Sequence, residues 1–366
     1  MLNLNTDVNL ARTINEMLSR DEFNNANKKK FIYFAGFNPK IMHGGVRRSN
    51  QIVNELSEVY TPIVIDTKKL KQEIKYFGNW SKYIFHMAKV FLITKGTLST
   101  KLKSSTLCGL VSSCIGQVNP DFIVYDFVDS SYKYLWMTLK NCKVPVIAVI
   151  HNIEFLISSL DTLNSNMINF QNQFEAIKHA DLSITISTID DYICRVYGAN
   201  TLLLKYKPTN AEVYIFEKIA KDREASKSVA RNRILIIGTA YNKPTIAGML
   251  NLIANADRWK TDKYELLLAG FGTEDFFKSS EDLKVLGGIP QNELYSILRE
   301  VKCCVIFQPP TSGRLTKLVE LEMCKIPVYI NSDYISVEES RFLKMYSDFD
   351  QLRALIASEE NGELSN

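Results

Sequence analysis

CCVIFQPPTSGRLTKLVELEMCKIPVYI, residues 303–330, sets the architecture of the chain. CCVIF is apolar, rich in β-formers and too short for a helix, so it reads as a buried strand. GRLTKLVELEM keeps helical spacing, and IPVYI is a second short apolar run. A strand that feeds a helix and then another buried strand is the crossover unit of a parallel sheet. The Gly-containing loop TSG falls between the first strand and the helix, where a parallel sheet presents its ligand-facing edge.

The same alternation extends in both directions. FIYFAGF (31–37), PIVID (62–66), FIVYDFV (122–128), VPVIAVI (144–150), LSITIS (182–187) and TLLLK (201–205) read as one series of strands. RILIIG (233–238), YELLLAG (264–270), LKVLG (283–287), CCVIF and IPVYI form a second. Segments 46–60 and 171–180 supply helices to the first series; 244–256, 292–301 and 313–323 supply them to the second. Two consecutive series predict two doubly wound α/β domains, with ligands at a cleft where the strand ends meet. The expected division is an N-terminal extension (1–30), a first domain (31–206), a polar linker (207–232), a second domain (233–347) and a C-terminal helix and tail (348–366).

At 366 residues the chain suits two domains of ordinary size. It is 46% apolar and 23% charged with a net charge of +4, too mild to argue for nucleic acid. Charge is unevenly spread: Lys68 to Lys103 holds nine Lys, one acid (Glu73) and no Arg. The seven cysteines form no CxxC pair and several sit in apolar runs, which reads as reduced thiols of a cytoplasmic protein. The N-terminus carries no signal-peptide pattern, and no apolar run approaches a membrane span.

Chemistry is expected in the loops after strands. Gly44 and Gly45 precede a helix whose free N–H groups favour an anion, with Arg47 and Arg48 on its first turn; a simple turn is the alternative. His151 follows the fourth strand, with Glu154 three positions on, and suits hydrogen bonding to a polyhydroxylated substrate better than metal binding. Lys243 could reach a phosphate from the turn after RILIIG, or be an exposed turn residue. Lys317 and Glu320 lie three apart on one helical face. The Lys could meet a diphosphate and the Glu could accept two vicinal hydroxyls, as on a ribose; an ordinary ion pair is the alternative. No Walker A or GxGxxG sequence is present, which removes support for a kinase or dehydrogenase.

These pieces resemble the GT-B glycosyltransferases, in particular glycosyltransferase family 4. The resemblance rests on the Gly-Gly loop after the first strand, His151, ADLSITISTIDDYICRVYGAN (180–200), and TSGRLTKLVE followed by CKIPVYI. It spans roughly residues 30–345. It implies the GT-B fold, two Rossmann-like domains facing across a cleft, and transfer of a hexose-type sugar from a UDP- or GDP-type donor to a glycan hydroxyl. His151 would lie beside the transferred sugar, Lys317 against the diphosphate and Glu320 on the ribose. Gly44, Gly45, Lys243, Ser312, Gly313 and Arg314 would contact the donor, and backbone near Ile289 would hold the base. Retention of configuration and independence of metal are implied; no cofactor is called for.

The sequence departs from the family pattern at Ser312, where a sugar-touching Glu is often found, in the loop GTAYNKPTIAG, and at Lys325-Ile326, where a Gly is expected. Ser312 and the altered loop leave room for a non-catalytic accessory subunit binding glycan or a partner transferase; a nucleotide-sugar epimerase is a third reading. The Lys-rich segment 68–104, interleaved with Tyr, Phe and Trp, reads either as a solvated helix pair or as a patch for an anionic membrane surface at its cytoplasmic face.

Overall fold

A computed structural model of the chain describes residues 10–18, 29–35, 44–66, 98–126, 142–153, 173–226, 231–309, 313–334 and 342–358, with isolated positions 84, 88, 91, 92, 136, 139, 140, 171 and 340. The loop 36–43, Glu154 and Ser312 lie outside these residues, as does most of 68–97. Two compact units emerge, one of residues 1–207 with 312–314, the other of 208–311 with 315–366.

Unit 1 holds a six-stranded sheet of β1 (Lys30–Ala35), β2 (Thr61–Asp66), β3 (Phe122–Asp126), β4 (Val146–Val149), β5 (Leu182–Thr185) and β6 (Thr201–Leu203). Their order is β2-β1-β3-β4-β5-β6, and every pairing is parallel. β3 and β4 are buried at every position, so both faces need cover. The helix Leu98–Val118 supplies Cys108, Leu110 and Val111 to one face. On the other face Ile52 and Leu56, from the helix Gly44–Ser57, meet Phe31, Tyr33 and Phe122.

The expected N-terminal extension contains a packed element. The helix Leu10–Leu18 buries Leu10 and Ile14 in this second cluster, and the Tyr60 hydroxyl donates to Asn15 Oδ1 at 2.8 Å.

Unit 2 contains β7 (Arg233–Ile237), β8 (Glu265–Ala269), β9 (Leu283–Gly287), β10 (Cys303–Ile306), β11 (Val328–Asn331) and β12 (Leu343–Tyr346), again all parallel. Read from the other edge, the order β9-β8-β7-β10-β11-β12 reverses direction between β7 and β10. That reversal is where a doubly wound sheet opens a crevice at its carboxyl edge.

Part of the polar stretch 207–232 is helical. Asn210–Ala225 opens on a Thr209/Glu212 capping box and buries Phe216 and Ile219 in the unit 2 core. Arg223, on the same helix, donates to the carbonyls of Leu298 and Val301, at 2.9 and 2.6 Å, and so caps the helix Gln291–Glu300. The helix Thr316–Met323 ends in a Schellman arrangement, with Ile326 N donating to Leu321 O and Lys325 N to Glu322 O. Lys325 therefore sits at φ 53, the conformation for which glycine is the usual residue.

Two helical glycines differ in what surrounds them. A Cβ on Gly248 would overlap the Phe307 carbonyl, whereas Gly116 is exposed within its helix and has nothing within 4 Å. Gly248→Ala is expected to destabilise by about 1–3 kcal/mol, because the clash outweighs the gain in helix propensity. Gly116→Ala should stabilise by about 0.5–1 kcal/mol. Urea unfolding midpoints of the two variants should move in opposite directions; movement in the same direction would contradict the packing described.

Candidate functional site

In unit 1 the polar groups gather around Asp126, the last residue of β3. Its carboxylate is 1% exposed and accepts from His151 Nε2 at 2.7 Å and from the Tyr33 hydroxyl at 2.6 Å. Ser49, on the helix Gly44–Ser57, donates its hydroxyl to the same carboxylate. Strand order explains the meeting. β1 carries Tyr33, β3 carries Asp126, and His151 follows β4, so these three neighbouring strands place their groups together.

A buried carboxylate surrounded by donors is an acceptor, which places the His151 proton on Nε2 and fixes the ring. Burial and the neighbouring Asp126 push the Tyr33 phenol well above its ordinary range, so it too stays a donor. Asp126 was not singled out in the sequence; its one signal is an acid closing an otherwise apolar strand, FIVYD.

Gly44 and Gly45 open the helix Gly44–Ser57, and the Gly45 carbonyl lies 3.1 Å from Ser49 Oγ. Through Ser49 the first turns of this helix are joined to the Asp126–His151 pair. Arg48 corrects an expectation. It is 1% exposed, and its guanidinium donates to Gln51 Oε1 at 2.7 Å and to the backbone carbonyls of Leu204 and Lys205. Arg48 ties this helix to the chain beyond β6, and burial lowers its pKa to about 10; the anion expected from its charge has no claim on it.

Gly313, at φ +83, belongs to unit 1. Its N–H donates to Asp190 Oδ2 at 3.0 Å, and a Cβ there would stand 2.6 Å from the His151 carbonyl. Only glycine fits both the conformation and the space. Arg314 is half-buried beside it.

In unit 2, Lys317 occupies the first turn of Thr316–Met323, at the β7/β10 reversal. Its Nζ donates to Ile237 O, at the end of β7, at 2.7 Å. A Cβ on Gly238 would stand 3.0 Å from the same nitrogen, so the glycine leaves the ammonium space beneath the turn. Burial lowers the Lys317 pKa from 10.5 to about 8, against the opposing pull of Cys304 and of Glu320. Glu320 is half-buried on the same helix, three residues along.

Lys243 is exposed at the start of the helix Lys243–Ala254, beyond the Gly238 turn. Ile289 follows the Gly287-Gly288 turn after β9, two strands from β7, and packs on the core. Lys317 and Glu320 thus lie together at the reversal, with Lys243 further along the β7 loop and Ile289 on the β9 side.

The Lys317 shift carries a sign. Below pH 8 the ammonium is charged in both folded and unfolded chains, and its burial is a standing cost. Between about 8 and the ordinary 10.5 the folded chain releases the proton first, so stability rises with pH. Urea unfolding of the wild type and of Lys317→Met at pH 7 and pH 10 should show the wild type gaining on the variant at the higher pH. A difference that does not change with pH would mean the ammonium is not desolvated.

No family model matches the chain, and no curated protein matches it. Among solved structures it is similar to Anabaena HepE in complex with UDP-glucose, with a TM-score of 0.62 and 12% identity over 92% of this chain and 91% of that one. Sucrose-phosphate synthase from Thermosynechococcus elongatus has a TM-score of 0.62 at 11% identity, again over 92% and 91%. The catalytic domain of starch synthase IV from Arabidopsis thaliana, bound to ADP and acarbose, has a TM-score of 0.55 at 10% identity over 93% of each chain. Identities this low speak to fold alone. The two doubly wound parallel sheets of this chain are those of the GT-B fold.

Proposed function

We propose that the chain is a glycosyltransferase that moves a hexose-type sugar from a UDP- or GDP-type donor to a glycan hydroxyl, with retention and without metal. The observation that carries this reading is the half-buried Lys317, whose ammonium is held under Gly238 at the β7/β10 reversal with Glu320 three residues along the same helix. A cation preorganised in a low-dielectric turn stabilises a departing diphosphate without reorganising during the reaction. Glu320 offers carboxylate oxygens to a ribose diol. In unit 1 the fixed His151 ring presents a hydrogen-bonding group to the transferred sugar, and Asp126 holds it there. Similarity in fold to a protein complexed with UDP-glucose supports the donor class.

The second reading, a non-catalytic accessory subunit, draws on Gly313, whose N–H is engaged by Asp190 and so is not offered to a phosphate. Calorimetric titration with UDP and GDP separates the two readings, because an accessory subunit binds neither.

For the transferase, Glu320→Ala should weaken nucleotide binding and abolish turnover. Asp126→Asn should leave nucleotide affinity unchanged and lower kcat by about a hundredfold, since it frees the ring that it orients. Full activity in either variant would remove that residue from the scheme.

An anionic membrane surface is the proposed location. Ile84, Ala88 and Leu92 are each helical and exposed, Leu92 to 81%. Nine lysines between 68 and 103 flank them in sequence. The protein should co-sediment with phosphatidylglycerol vesicles and not with phosphatidylcholine vesicles, and Leu92→Asp should release it. Equal recovery with both lipids would refute the assignment.

A further inference from the structure

Unit 2 carries a group of exposed aromatic side chains outside the Lys317 pair. Tyr241, on the turn after β7, is 57% exposed; Phe271 and Phe276, after β8, are 41% and 51% exposed. The Tyr241 ring meets Phe271 edge-on at 5.4 Å and Phe276 at 6.1 Å. Two rings packed on Tyr241, with all three left this open to water, form an apolar patch of the kind that marks a binding surface.

The arrangement is held in place. Gly272, at φ +84, has the Tyr241 ring 2.7 Å from where a Cβ would be, and Gly288 has Phe271 at 3.3 Å. Two glycines thus make room for the rings. The Tyr241 hydroxyl donates to Asp275, which pins the ring while it remains exposed.

Charge selects among possible occupants. Residues 273–282 contain four acids and one lysine; Asp282 is paired with Lys260, Asp275 holds the Tyr241 hydroxyl, and the Glu274 carboxylate lies against Gly287, within electrostatic reach of Tyr241. Carboxylates there repel a phosphate or an anionic lipid surface. They accept hydrogen bonds from hydroxyls, while the rings cover an apolar face. A neutral ligand with one C–H face and a rim of hydroxyls satisfies both.

We propose that Tyr241, Phe271 and Phe276 form a saccharide-stacking platform at the carboxyl edge of the unit 2 sheet, with Glu274 and Asp275 as hydroxyl acceptors. The ligand is a neutral sugar ring, supplied either by the donor's hexose or by an acceptor oligosaccharide. Assigning it to the donor rests on the transferase reading above; binding of a free oligosaccharide does not.

The test is titration of the full chain and of its Tyr241→Ala, Phe276→Ala and Tyr241→Phe variants with UDP, GDP, UDP-glucose, GDP-mannose, maltohexaose and chitohexaose, with thermal melting to confirm folding. Both alanine variants should lose about tenfold in affinity for a sugar-bearing probe that the wild type binds and keep their affinity for free UDP and GDP; Tyr241→Phe, which keeps the ring and loses its bond to Asp275, should fall between wild type and Tyr241→Ala. Loss confined to the nucleotide sugars assigns the platform to the donor hexose; loss confined to the oligosaccharides assigns it to the acceptor. Equal loss for the free nucleotides, no loss for any probe, or a wild type that binds no sugar-bearing probe overturns the proposal. A wild type that binds an oligosaccharide but no nucleotide or nucleotide sugar overturns the transferase reading and leaves the platform standing.

Discussion

Parallel pairing throughout both sheets is the constraint on which the remaining structure depends. It sends every strand's carboxyl end to the same edge of its sheet, and it forces a helix or long crossover between consecutive strands. The apolar faces of those crossovers then cover the sheet on both sides, which is why β3, β4, β10 and β11 carry almost nothing polar until their ends. Polar chemistry is thereby confined to the edge. Asp126 closes β3, His151 follows β4, and Lys317 reaches back to the end of β7.

Both units solve the problem of a buried ionisable group, by opposite means. Asp126 is surrounded by donors from three other elements, which offset the loss of water around a carboxylate. Lys317 has a backbone carbonyl for its ammonium and keeps a lowered pKa. A satisfied carboxylate orients its neighbours, whereas the Lys317 ammonium is held at the cost of its own desolvation. Under the proposed transferase reading the first group positions His151 and the second meets the diphosphate.

Much of the fold was legible in the sequence because apolar strands of the length of RILIIG or FIVYD have few other uses in a soluble chain. The sites of Lys317 and His151 were legible as positions, since a loop after a parallel strand has a known edge to occupy. Asp126 was not, because its partners lie 93, 77 and 25 residues away in the chain and only the strand order brings them together. Arg48 was misread for a related reason: a charge on a helix's first turns looks available until the carbonyls beyond β6 are seen beside it. The helix Asn210–Ala225 was hidden by its polarity, as only a few of its residues, Phe216 and Ile219 among them, face the core. β12, LKMY, is short and partly exposed, and offered too little contrast to read.

The division of the chain has a consequence for its synthesis. Unit 1 is discontinuous: it takes residues 312–314 from beyond the first four strands of unit 2. A ribosome releases residues 208–311 before Gly313 is available to meet Asp190, so the six-stranded sheet of unit 1 can assemble early while this last contact waits. The Asp190 carboxylate spends that interval without its Gly313 partner, and docking of the glycine becomes a late event in maturation, timed by the growth of the second sheet.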